Sequence, residues 1–164
     1  MTPAVAILAL VTAERAAELL LARRNTERLI RQGATEFGAA HYPLIVALHA
    51  AWLGGLWLLA RDQPVQPYWL GLFVLLQAGR GWVLLTLRER WTTRIVVAPG
   101  HPLIRRGPYR FMTHPNYAVV AGEIAILPLA FGLVSFAVLF SILNAVILAI
   151  RIKAENVALG QSAR

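Results

Sequence analysis

Long apolar runs separated by short charged ones organise this chain. The runs cover about 3–22, 42–60, 67–87, 116–133 and 134–151. A helix rising about 1.5 Å per residue needs about 20 apolar residues to cross a bilayer. The pattern therefore predicts an all-α, polytopic membrane protein with about five transmembrane helices. The third run follows Pro64 and Pro67, and the last two meet near Phe131-Gly132, which predicts a tight C-terminal hairpin. The first run lacks a basic leader and continues past signal-peptide length, so it reads as a span. No internal repeat is visible. The expectation is one membrane domain over 1–164, with N-terminal spans and an interfacial segment in 1–90 and a second portion in 91–164.

The polar stretches carry their own patterns. Arg23 to His41 places Leu29, Ile30 and Phe37 among charges, which suits a short helix lying at the interface. Trp91 to Asn116 holds the β-branched run Ile95-Val96-Val97, then Pro99-Gly100 and Leu103-Ile104, and predicts an extended or hairpin excursion closed by Gly107-Pro108. Trp52, Trp57, Trp69, Trp82 and Trp91 fall mostly near span ends, where indole rings anchor helices at the membrane surface.

Composition strengthens the membrane reading. The chain is 58% apolar and only 15% charged, whereas soluble domains are near a quarter charged. Its formal charge of +8 comes from fifteen arginines and one lysine, Lys153, against eight acidic residues. These arginines punctuate apolar helices and form no soluble basic face, so no nucleic-acid partner is expected. Alternate loops hold 4, 6 and 3 bases against 0, 1 and 0, which by the positive-inside rule puts the N-terminus outside and the C-terminus in the cytoplasm. The absence of cysteine removes disulfides and thiolate chemistry. His41, His49, His101 and His114 have no paired ligand spacing, and no metal is expected.

Ionisable groups within spans are costly and mark either internal pairs or sites. Glu14 and Glu18 share one face of the first span, beside Arg15; they pair with Arg80 of the third span or touch a substrate. Glu123 is either a buried partner for Arg110 or Arg80 or a cofactor contact. His49 shares a face with Tyr42 and Ile45 and is either a hydrogen-bonded core residue or a substrate contact. In the last span Asn144, Leu148, Arg151 and Glu155 follow helical spacing and form a polar stripe leading inward.

The densest constellation is Arg105-Arg106-Gly107-Pro108-Tyr109-Arg110, then His114-Pro115-Asn116-Tyr117 opening an apolar helix. Helix N-termini favour anions, arginine and histidine add charge-assisted donors, and tyrosines offer flat surfaces to an aromatic ring. This suits a carboxylate-bearing, nucleotide-like ligand. The run G-P-Y-R-x-x-x-H-P-x-Y, a following hairpin and R-x-x-x-E resemble the isoprenylcysteine carboxyl methyltransferase family over about 94–160. Upstream, Glu14 to His49 is similar to a bacterial branch found beside type III polyketide synthases, thought to O-methylate alkylpyrone-type lipids.

The resemblance implies an integral membrane enzyme that uses S-adenosylmethionine and releases S-adenosylhomocysteine. Cofactor binding would fall on Arg106, Gly107, Pro108, Tyr109, Arg110, His114, Pro115 and Tyr117, with Arg151 and Glu155 catalytic. The family's closing second glutamate is replaced here by Asn156, which can hydrogen-bond but carries no charge. His49, Glu14, Glu18, Asn144 and Asn156 are the substrate candidates. The expected partner is a lipophilic small molecule or lipidated substrate, surrounded by membrane lipids, and a homo-oligomer stays open. The expected location is a bacterial inner membrane with the site on the cytoplasmic face. Two alternatives are phospholipid N-methylation, for which Asn156 makes a poorer negative pocket, and a non-catalytic lipid-binding scaffold.

Overall fold

The computed structural model describes residues 2–97 and 104–162, with side chains up to 158. Five helices account for most of it: α1 (Pro3–Arg31), α2 (Tyr42–Leu59), α3 (Pro67–Leu87), α4 (Pro115–Ala130) and α5 (Val134–Ser162). Two three-residue strands, β1 (Thr35–Phe37) and β2 (Ile95–Val97), pair antiparallel with Glu36 opposite Val96. The protein is an all-α membrane protein with this one small ribbon added. The helices run up and down, so the ribbon lies at the end where α1, α3 and α5 finish and α2 and α4 begin.

Proline near the start of a helix sacrifices only a donor that would have no partner there, and α1, α3 and α4 each begin on one. Thr2 caps α1 by accepting from the Val5 N–H at 3.2 Å. At the far end the Thr2 hydroxyl donates to the Arg61 carbonyl, and the Gln66 N–H donates to the Ala130 carbonyl, tying α1 to α2 and α3 to α4.

Among the described residues, three helices are long and apolar enough to cross a membrane: Ala39–Leu59, Pro67–Arg90 and Val134–Ala158. The other two expected spans depart from that measure for different reasons. α1 carries Glu14, Arg15 and Glu18 in its middle, and α4 has only 16 residues, a rise of about 24 Å. Exposed Leu58, Leu75, Val138, Ile142 and Val146 leave wide apolar surface for lipid to cover.

Inside, Leu8, Val11, Leu56, Phe73, Ile124, Leu127 and Phe131 form one core linking all five helices with Phe140. Lipid gives no hydrophobic drive between helices, so close packing and polar contacts hold them. Gly122 of α4 faces Leu76 of α3, where an added Cβ would come within 2.9 Å of the leucine side chain.

The structure corrects two expectations and narrows a third. Arg23–His41 does not hold a separate interfacial helix: α1 continues unbroken to Arg31, and the rest forms β1 and a single 3-10 turn. Leu29 and Thr26 are buried against the bundle, which keeps that stretch helical. Of the two forms expected for the excursion after Trp91, the described residues take the extended one, with Ile95–Val97 pairing to Thr35–Phe37. Pro99-Gly100, His101 and Leu103 lie outside the described residues. Finally, Trp52 and Trp91 are interior, 4% and 2% exposed. Trp52 donates its indole N–H to the Ile124 carbonyl at 3.3 Å, so its polar edge is satisfied by α4 and not by the membrane surface.

Candidate active site

Two polar groups of residues sit inside the bundle. The deeper one is an ion-pair lattice joining α1, α3 and α4. Arg80, 8% exposed, donates through Nε and Nη2 to Glu18 and through Nη1 to Glu123 at 2.9 Å. Arg15 donates to the two Glu123 oxygens at 3.3 and 3.4 Å and stands 3.3 Å from Glu18. Glu14 accepts from the Gln77 amide at 2.8 Å. Of the two roles open to Glu18 and Glu123, these contacts are the internal pairs, with Arg80 at the hub. Arg110 takes no part among the described residues; Arg15, unassigned from the sequence, takes its place.

The second cluster lies nearer the ribbon, where α4 begins and α5 finishes. The Tyr117 hydroxyl donates to Glu155 and accepts from Arg151 Nε at 2.8 Å. Arg151 Nη2 donates to the Thr93 carbonyl at 2.8 Å, and its guanidinium carbon lies 5.6 Å from the Tyr117 ring centre. The His114 ring stacks on Tyr117 at 5.1 Å, with Nδ1 3.6 Å from a Glu155 oxygen. Two pairs of residues expected at the site, His114 with Tyr117 and Arg151 with Glu155, therefore meet across 34 or more positions of sequence.

Local structure explains how. Pro115 starts α4, which turns Tyr117 toward α5. On α5 the Asn144–Arg151–Glu155 spacing holds: Asn144 is 2% exposed, Arg151 is 9% exposed, and Glu155 is partly buried. Asn156 is exposed and makes none of the contacts described for this cluster.

The preceding segment docks on α3. Gly107 sits at φ +58°, and a Cβ there would come within 2.4 Å of the Thr86 hydroxyl, so glycine is needed both for backbone angle and for space. Pro108 is buried, and Tyr109 packs against Ala22, Val83 and Trp91. Burial, then the nearby Glu155 carboxylate, push the Tyr109 phenol up to about 12, so it stays neutral. Arg110 is exposed; Arg106 is exposed too and faces a separate cleft described below.

Sequence reasoning missed the anchors. Tyr42 meets the Thr93 hydroxyl at 3.0 Å, Arg94 stacks 4.8 Å over the Tyr42 ring, and Arg94 grips both Glu36 oxygens at 2.9 and 3.0 Å. The only signal was the Arg94 charge beside a β-branched run. His49 is half-buried on α2, where its Nδ1 donates to the Ile45 carbonyl at 2.8 Å. A carbonyl can only accept, so Nδ1 holds the proton and Nε2 keeps its lone pair.

The family model for the isoprenylcysteine carboxyl methyltransferase (ICMT) family matches residues 69–161, more than half of the chain. The chain belongs to the ICMT family. The match spans α3 to α5 and so includes Tyr109, His114, Tyr117, Arg151 and Glu155. As an ICMT-family member the protein is a membrane methyltransferase. It is 43% identical over 159 residues to "Uncharacterized protein YpbQ" of Bacillus subtilis, covering 93% of this chain and 94% of that protein. It is 27% identical over 162 residues to an "Uncharacterized protein" of Haemophilus influenzae, covering 92% and 91%. No solved structure matches.

The cluster suits the cofactor of ICMT-family enzymes. Asn116 Oδ1 in the first turn of α4 is buried without a partner among the described residues, and an amino group would satisfy it. Glu155 offers a carboxylate to a sulfonium, and the His114–Tyr117 stack offers an aromatic face.

Proposed function

We propose that this protein methylates an oxygen atom of a lipophilic acceptor, using S-adenosylmethionine, at the cytoplasmic face of a bacterial inner membrane with its N-terminus outside. The observation carrying this reading is the state of Arg151. Two of its nitrogens are committed to Tyr117 and Thr93, while Nη1 takes no partner among the described residues. A guanidinium held in this way presents a fixed pair of donors to an incoming oxygen.

When bound, the cofactor supplies an electrophilic methyl on a sulfonium; the protein's task is placement. Arg151 Nη1 clamps the acceptor oxygen in line with that methyl. Glu155, fixed by the Tyr117 hydroxyl, balances the positive sulfur, and Asn116, Tyr109 and His114 hold the rest of the cofactor with the Gly107–Arg110 turn. A carboxylate acceptor reaches the site already anionic. A hydroxyl of the alkylpyrone type gives up its proton to His49 Nε2, the lone pair left open by the Ile45 hydrogen bond. The acceptor's tail enters from lipid between helices. In this reading residues 91–164 are the cofactor-binding core, while 1–90 supply the acceptor side and the anchors Glu36 and Tyr42.

Titration calorimetry of the purified protein with S-adenosylhomocysteine tests cofactor use. A labelled methyl donor with lipid extract tests transfer, with wild type and Arg151→Ala compared. Binding in the first and loss of transfer in the variant are expected. No heat of binding, or wild-type turnover by Arg151→Ala, overturns the assignment.

A further inference from the structure

At the ribbon end, away from the Tyr117–Glu155 cluster, a cleft of about 720 Å³ opens between the end of α1, the turn after α3 and the segment before Gly107. Arg28, Arg88, Arg90, Arg105 and Arg106 line it, with Glu89 as the one carboxylate in its wall. That carboxylate is already engaged by Arg28 Nη1 at 2.9 Å. Its apolar lining is Leu29, Leu87 and Ile104. Three separate stretches of chain thus converge on a cavity whose lining combines apolar side chains with an excess of guanidinium groups.

The cleft is built, and its residues are more than surface arginines left by topology. Arg88 lies at φ +48°, the only non-glycine residue with positive φ among those described. Such a backbone costs on the order of 1 kcal/mol and persists where neighbours impose it. Here the neighbour is Asn25, 6% exposed, whose amide donates to the Arg88 carbonyl at 3.1 Å and to the Trp91 carbonyl at 2.9 Å. Arg28 adds a bond from Nη2 to the Glu89 carbonyl at 2.8 Å. A buried amide and a guanidinium on α1 therefore hold a strained turn in the shape that sends Arg88 and Arg90 to the cleft.

We infer that this cleft binds the phosphate headgroup of an anionic phospholipid. Guanidinium forks match phosphate oxygens, a phosphodiester balances the excess of positive charge, and the leucine and isoleucine lining accepts the start of an acyl chain. The site lies at the end of spans that cross the membrane, at headgroup level, so a lipid reaches it without leaving the bilayer. Occupancy would brace residues 105 and 106, which lead directly into the turn carrying Tyr109.

The test needs no methyl transfer, so it stands apart from the proposed activity. The full chain in neutral detergent is titrated with short-chain phosphatidylglycerol, and apparent affinity is read from the shift in thermal unfolding. Arg88→Gln/Arg105→Gln should weaken it roughly 25-fold, at about fivefold per basic group removed. Arg24→Gln/Arg31→Gln removes two exposed arginines from the same helix end outside the cleft, whose charge is screened by solvent, and should stay within about twofold. Equal losses in the two double variants would reduce the effect to general surface charge and overturn the inference. An equal shift of wild type by inorganic phosphate would overturn the lipid assignment. Should the glutamine pair not unfold cooperatively, Arg88→Lys/Arg105→Lys keeps the charge and loses the forks. A drop of a few fold then supports the inference, and an unchanged affinity overturns it.

Discussion

The bundle holds two clusters of charge that differ in how their charges are joined. In the lattice around Arg80, each carboxylate meets a cation or an amide of another helix; Arg80 answers carboxylates from two other helices and Arg15 reaches one on α4, while Arg15 Nε and the Gln77 amide oxygen are buried without a partner among the described residues. Around Tyr117, Arg151 and Glu155 are joined through one hydroxyl, and a guanidinium nitrogen, a histidine edge and the Asn116 oxygen are left over. The first arrangement fastens helices; the second is the one that the proposed methyl transfer would use. Unpartnered buried atoms occur in both and so do not separate them; guanidinium and carboxylate pair directly across helices in the first and only through the Tyr117 hydroxyl in the second.

The largest effect should come from cutting the lattice. Arg80→Ala leaves Glu18 and Glu123 buried without their shared partner and should cost about 3–5 kcal/mol, read as thermal unfolding in detergent. If Arg80→Ala is as stable as wild type, the fastening role falls. Next, Arg151→Ala should lower transfer on the order of 10²-fold while costing about 1–2 kcal/mol in stability, because the bonds it loses are two and the partners stay near polar neighbours. Parallel loss of stability and transfer in both variants would erase the contrast.

Gly107→Ala adds both a backbone penalty and a clash with Thr86 and should cost about 1–3 kcal/mol, seen as weaker S-adenosylhomocysteine binding. Combining it with Thr86→Ala relieves the clash only, so recovery should be partial. Tyr109 gives a pH signature. The folded protein keeps the phenolic proton up to about 12, above the ordinary value of 10, whereas the unfolded chain has already released it. Stability from this group is whole below pH 10 and declines between pH 10 and 12, and Tyr109→Phe should flatten that decline. The smallest change belongs to Asn156→Ala, within about 0.5 kcal/mol and near wild-type transfer, since this side chain is exposed.

Much of this was legible from periodicity. Helical spacing on α5 placed Asn144, Arg151 and Glu155 on one face, and the Pro115 helix start put Tyr117 at its mouth. The pairing of Glu18 with Arg80 could be proposed because few other charges lie at that depth. The role of Arg15 could not, since a residue beside Glu14 in sequence looks local, while its long side chain reaches Glu123 on another helix. Three-residue strands carry too little pattern to name their partners, so β1 went unread and the extended run at β2 was left without a partner. Trp52 and Trp91 followed the usual interfacial preference only in sequence; packing against α4 and the α1–α3 corner drew them inward.

The ribbon also has a meaning in time. Glu36 and its partner Val96 are 60 residues apart, so β1 leaves the ribosome about 3–12 seconds before β2 exists. Arg151 then arrives later still, and the Thr93 carbonyl that orients it is fixed only once the ribbon has closed. Biosynthesis therefore finishes the reactive corner last, after the charged lattice has already gathered α1, α3 and α4. A nascent chain halted before α5 would hold its fastening intact and its chemistry unassembled.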